Sequence, residues 1–410
     1  MEERILGRTV SDAGSESCDK RRVLRLACVV LWFLMVVLPS AGQAPATNST
    51  ASGSTPEPAI AAILAAFDRY EVVAMPEGHG MKDVDDFILS LIRDPTFPAK
   101  VNDIEVECGN SLYQPVLDRY IAGDDVPFTE VRRVWRNTTQ SMCGRSGFFE
   151  QFFPLVRAIN QNLAPAKRLR VLAGDPPIDW DHVKTREDGM KFFDREPSIV
   201  SVMEKEVLSK HRKALMLFGS FHLFHGVADS AVSTYEKRYP HLTFVISDLG
   251  IYDMNRTSAP ISPFASWPNP SLALTKGTWL GALMLRDIFP PPIMIERDCK
   301  VKIDFPPDLQ KPMEALVDAF LYLGPQEFRL NEPMPADIAL DADYMTELKR
   351  RESLTGFPGE PTKSLKDSNR EIVKEAENPL SGAPKQPDAK EVAQSCLDRN
   401  KQGSPPGPRL

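Results

Sequence analysis

The sequence predicts an α/β fold: a mostly parallel sheet with helices on both faces, in a single core domain with an irregular C-terminal extension. Three observations carry this. Five short segments, at 72–75, 103–108, 169–173, 214–218 and 242–247, fit strands. Between them apolar residues recur at helical spacing, and strands that alternate with helices pair in parallel because each crossover returns the chain to the same edge. No period repeats along the chain, which excludes a solenoid.

The chain opens on a targeting segment. Lys20, Arg21, Arg22 and Arg25 precede an apolar run from Leu26 to Leu38, with small residues at Gly42 and Ala44. The run is short for a membrane span, so 1–44 reads as a signal peptide cleaved after Ala44. The long stretch before Lys20 keeps a retained anchor as the alternative, and with it the one expected attachment to a membrane. Export implies a periplasmic or secreted location and an oxidising environment. Cys108, Cys143, Cys299 and Cys396 then allow three pairings, among which spacing does not choose. Asn48-Ser49-Thr50, Asn137-Thr138-Thr139 and Asn255-Arg256-Thr257 fit glycosylation sequons. Residues 45–58 form a Ser/Thr/Ala/Pro linker, expected to be disordered.

The core domain is expected over 59–356. Ile60, Ile63, Leu64 and Phe67 mark a first helix, and Val72 to Met75 a buried strand. The turn Pro76-Glu77-Gly78-His79-Gly80 follows, then a helix to Ile92 with Val84, Phe87, Ile88 and Leu91 on one face. Asp103 to Cys108 alternates acids with apolar residues, so either one face is solvated or the acids line a cleft. Helices are expected at 112–122, 128–135 and 147–163, and the polar loop 136–145 between the last two reads as a surface connection, with a lid that reaches the cleft as the alternative. Leu169 to Ala173 is a third strand, ending at Gly174-Asp175-Pro176-Pro177. A helix over 187–208 breaks near Pro197. Ala214 to Phe218 runs into Gly219-Ser220-Phe221-His222, and if a helix starts at once His225 shares a face with His222. From 252 to 312 the chain is Pro-rich and irregular. The apolar segment 312–324 completes the core, 343–353 is a short charged helix, and 357–410 reads as a disordered Pro-rich tail.

In a parallel sheet the carboxyl ends of the strands share one edge, where ligands bind in open α/β folds. Those ends carry Glu77 and His79, Glu107, Asp175, and His222. Carboxylate and imidazole together act as orienter and general base toward water. The same set, with His79, Glu107 and His222 as ligands, suits a divalent metal. There is no Gly-x-Ser-x-Gly elbow and no Walker or dinucleotide glycine pattern. A net charge of −7 with no basic stripe argues against nucleic acid as a partner.

The Glu77-Gly78-His79-Gly80 turn, the strand end Glu107 with Gly109-Asn110, and the Gly219-Ser220-Phe221-His222 turn resemble the superfamily of erythromycin esterases, ChaN-like haem-uptake proteins and Tiki proteases. The resemblance spans about 72–249 and is closest to uncharacterised exported bacterial members. It implies functional roles for Glu77, His79, Glu107 and His222. Pro76 stands where the family pattern has Gly, which weakens the protease branch. The resemblance implies an exported hydrolase acting on a small-molecule substrate through a His/Glu water-activating site. One alternative is a haem- or iron-binding uptake-type protein without turnover, and another is an inactive scaffold.

Overall fold

The structure, a computed structural model, describes residues 53–248, 264–289, 291–295, 299–324, 330–332 and 334–355, with isolated positions beyond 369. The expected signal segment, the sequons at Asn48 and Asn255, Cys396 and nearly all of the tail lie outside the described residues. The strands are β1 Glu57–Pro58, β2 Val72–Pro76, β3 Asp103–Asn110, β4 Arg170–Asp175, β5 Ala214–Phe218, β6 Thr243–Asp248, β7 Ser271–Leu274, β8 Ile293–Ile295, β9 Val301–Ile303 and β10 Ala319–Tyr322.

Eight of these form one sheet in the order β1-β7-β10-β6-β2-β5-β3-β4, and β8 pairs with β9 in a second, two-stranded one. The five strands expected from the sequence are β2 to β6. They lie side by side and all run parallel, so the α/β prediction holds. β10 extends them in parallel, while β7 and β1 add an antiparallel edge. These three depart from expectation. β1 falls in the expected linker, β7 in the stretch read as irregular, and β10 in a segment read only as core. Each is short and lacks the alternation that would mark it.

Side chains alternate between two layers. Val73, Met75, Ile104, Val106 and Cys108 pack with helices Ala59–Ala66, Lys82–Arg93, Gln114–Ala122, Phe128–Arg136 and Phe148–Gln161. Val72, Ala74, Met216 and Phe218 pack on the other face with helices Glu196–Val202 and Ala231–Glu236. By the same alternation Asp103, Glu105 and Glu107 all face the second layer. Every position of β3 is buried, so the solvated-face alternative fails. Asp103 meets Arg212 at 2.5 Å at one end of the row, and Glu107 opens into a cleft at the other.

Glu105 lies between them with no hydrogen-bond partner for either oxygen. Burial, and then the charge of Asp103, push its carboxyl well above the usual range, so it keeps its proton to higher pH than an exposed carboxyl does. The unfolded chain ionises this group near 4.5, and stability is therefore drawn away as pH rises above that value. Glu105→Gln should raise the melting temperature at pH 7 and leave it nearly unchanged at pH 4. Equal shifts at both pH values would show that Glu105 is ionised in the fold.

Of the three cysteine pairings, the structure selects one containing Cys108–Cys143, with Cα atoms 5.4 Å apart; Cys299 is disulfide-bonded as well. The expected helix over 187–208 is two pieces, Arg186–Met190 and Glu196–Val202, the second running on through a wider turn at Met203–Val207. The break precedes Pro197, which sits in the first turn where no N–H is needed. Among the described residues no helix is long and apolar enough to cross a membrane.

Candidate active site

β2 and β5 end level. Pro76 pairs with Phe218, and the Glu77 N–H donates to Phe218 O at 3.1 Å. The Glu77 turn and the Gly219 turn therefore leave the sheet side by side. Pro76 faces β6 beyond the last β2–β6 pair at Ala74, so its missing N–H removes no ladder bond. A Cβ at Gly78 would lie 2.7 Å from Met81 O and 2.8 Å from Asp85 Oδ1, which leaves room only for glycine. The next residue does not continue extended: His79 has φ 46°, a left-handed backbone rare outside glycine and typical of functional turns. This turn brings His79 Nδ1 to 2.7 Å from Glu77 Oε2. Beneath it, burial and then Glu77 push Asp85 up to about 9, so Glu77 faces a neutral acid there.

Glu107 is the centre of the arrangement. Arg195 Nη1 donates to its Oε1 at 2.7 Å and the Gly219 N–H to its Oε2 at 2.5 Å. His79 Nε2 lies 3.4 Å from Oε2, and His222 Nε2 lies 3.5 Å from Oε1. Burial would raise this carboxyl, but Arg195, His222 and His79 hold it well below the usual range. His222 sits in the short turn Ser220–His222, its Nδ1 on Glu196 Oε1. Both imidazoles thus have Nδ1 on a private carboxylate and Nε2 toward the same Glu107. Burial lowers their basicity, yet Glu77 for His79, and Glu107 with Glu196 for His222, raise each to about 9.

Asp175 stands one step back. It accepts from Arg195 Nε at 2.6 Å and from the N–H and hydroxyl of Thr139 at 2.6 and 2.9 Å, and it does not line the cleft. Its place is to hold Arg195 and the 136–145 loop. That loop is therefore not a plain surface connection: Gln140 and Met142 line the cleft. Asn137 in the same loop donates to Tyr113 OH and accepts from Arg351, so the oxygen and the nitrogen of this sequon's amide are both engaged. His225 does not share a helix face with His222, because the next helix begins only at Ala231. It binds Glu236 and Asp318 at 2.9 and 3.0 Å. Arg195, Glu196 and Thr139 complete the site and were not singled out for it from the sequence, and Gly219, quoted as part of a turn, was given no role of its own. The one local signal was Glu196-Pro197 at a helix start.

Glu77, His79, Glu107, Arg195, Glu196 and His222 share one cleft of about 1260 Å³. The three-residue group Glu77, His79 and Cys108 is close enough to ligate, but the Cys108 sulfur is spent in the disulfide. The 3.4 and 3.5 Å separations of His79 and His222 from Glu107 match donor spacing around a tetrahedral ion. Against that, Arg195 already neutralises Glu107 at 2.7 Å and would face the ion. A haem iron on either Nε2 would press against the same carboxylate. The residues fit acid–base chemistry better than either group.

No family model and no curated protein matches the chain. Among solved structures, a Bacillus cereus protein is similar at TM-score 0.41 and 10% identity, over 66% of this chain and 95% of that one. A succinoglycan biosynthesis protein is similar at TM-score 0.44 and 10% identity, over 67% and 95%. ChaN of Campylobacter jejuni, described as binding haem cofacially, is similar at TM-score 0.27 and 11% identity, over 46% and 84%. These likenesses concern the chain path alone.

Proposed function

We propose that the cleft is the active site of an exported hydrolase that adds water to an ester or lactone carbonyl, as the resemblance of its turns to erythromycin esterases implies. The observation that carries this is the pair of imidazoles, each tied by Nδ1 to its own carboxylate and converging by Nε2 on Glu107. Tethered Nδ1 atoms fix both rings and leave both Nε2 atoms for proton transfer. His79, the more exposed, serves as base. Its neutral Nε2 takes a proton from water as the water oxygen bonds to the carbonyl carbon. His222 stays protonated and stabilises the negative oxygen. The C–O bond to the leaving group then breaks, and His79 returns the proton to that oxygen. Glu107 holds the charge of the pair in place and is too weakly basic to replace either imidazole.

Two imidazoles that share a carboxylate lose their protons as a pair. With both near 9, only about one site in a hundred holds a neutral His79 at pH 7. For a hydrolysed ester, kcat/KM should rise about tenfold per unit from pH 6 to 8, peak near 9 and fall above it as His222 loses its proton. His79→Ala and His222→Ala should each lower turnover by a factor of about 10² to 10⁴, with near-native melting and no dependence on added chelator. Full activity in both variants would sink the reading. Stoichiometric metal or haem in the purified chain, lost in both variants, would replace it with a ligand set.

A further inference from the structure

The rim of the cleft bears on the body of the substrate. Phe221 is 51% exposed, Met142 41% and Phe193 38%, and all three line the cleft. They come from separate segments: the turn after β5, the disulfide-bonded loop, and the residues before helix Glu196–Val202. Single exposed apolar residues need no explanation, but three gathered from distant segments around one opening do. Phe221 is also held in place, its ring packed on the buried Phe224 and Phe289 at 5.6 and 6.2 Å. The surface is concave, and at about 1260 Å³ it exceeds the usual range of small-molecule sites. That is more room than a short acyl group fills, and its shape suits a small molecule rather than a flat protein face.

Charge narrows the class. Three carboxylates at the floor, Glu77, Glu107 and Glu196, stand against three cations, His79, His222 and Arg195. Asp175 behind them adds a negative charge. The floor therefore has no surplus positive charge to attract a free carboxylate.

We propose that the cleft takes an uncharged carbonyl compound with a large apolar body, the body lying on Phe221, Phe193 and Met142 and the carbonyl at His79 and His222. The placing of the carbonyl rests on the hydrolase reading; the apolar shelf is testable without turnover. Calorimetric binding of hexanamide, octanamide and decanamide to the full chain should strengthen by about tenfold for each added pair of methylenes. The exposed Phe221 can be changed without disturbing the core. Phe221→Ser should flatten that dependence, and His79→Ala should preserve it. Equal affinity for the three amides, or an unchanged dependence in Phe221→Ser, would overturn the proposal. So would a Phe221→Ser variant that only weakens self-association, since the shelf would then be an interface between copies. A steep amide series without ester hydrolysis would retire the hydrolase reading and keep the ligand class; hydrolysis with a flat series would do the reverse.

Discussion

Replacing Arg195 with methionine should destabilise the protein by about 3–5 kcal/mol, the loss expected when a buried ion pair keeps its anions and loses its cation. Arg195 is only 6% exposed, and its guanidinium contacts Glu107 at 2.7 Å and Asp175 at 2.6 Å. Methionine fills much of the same volume, so the change isolates charge from packing. The two carboxylates would be left facing each other without a counter-ion. Protonation relieves them: without the cation these buried carboxyls titrate above their unfolded values, so the deficit measured by denaturant unfolding should begin to shrink above the ordinary carboxylate range, and go on shrinking below it as the wild type protonates its own depressed Glu107. Adding Glu107→Gln and Asp175→Asn to Arg195→Met should recover much of the lost stability. A deficit below about 1 kcal/mol, or one that does not change with pH, would mean that Arg195 does not hold these groups ionised.

Gly219→Ala should leave the fold intact and remove most turnover. Gly219 has φ −57° and ψ 140°, a conformation alanine adopts freely. Its added Cβ would lie 2.9 Å from His79 Nε2, 3.3 Å from Glu107 Oε2 and 3.7 Å from His222 Cδ2. The first of these is the free end of a side chain, so His79 gives way and the backbone does not. A displacement of this size at a reacting group costs about 10²-fold in rate. Gly78→Ala is the contrasting case. Its Cβ meets a backbone oxygen at 2.7 Å, and the loss should appear in the melting temperature. A Gly219→Ala variant with wild-type kcat/KM would place the chemistry elsewhere in the cleft.

The parts of this molecule that the sequence revealed share a physical cause. β2 to β6 are visible because apolar runs bounded by turn residues leave few other conformations. Glu77, His79, Glu107 and His222 were found because a parallel sheet sends its strand ends to one edge, whatever the details of packing. β1, β7 and β10 were not found, since strands of two to four residues have no room for a period. Arg195 was hidden for another reason. Its partners Asp175 and Glu107 lie 20 and 88 residues away in sequence, and no local pattern encodes a contact of that kind. Glu196 and Thr139 were missed in the same way. Asp175 was placed correctly at a strand end, but its neighbours, rather than its position, make it a brace.

The disulfide ties these parts into a sequence of dependence. Cys108 directly follows Glu107 in β3, and Cys143 lies four residues after Thr139 in the loop it closes. Fixing that loop sets Thr139 on Asp175, Asp175 on Arg195, and Arg195 on Glu107. The last link in this chain is the carboxylate that both imidazoles face. A copy with free thiols would carry every side chain of the cleft and still lack the tether that holds this loop. On the hydrolase reading proposed above, reducing Cys108–Cys143 should therefore loosen this row of contacts and lower turnover.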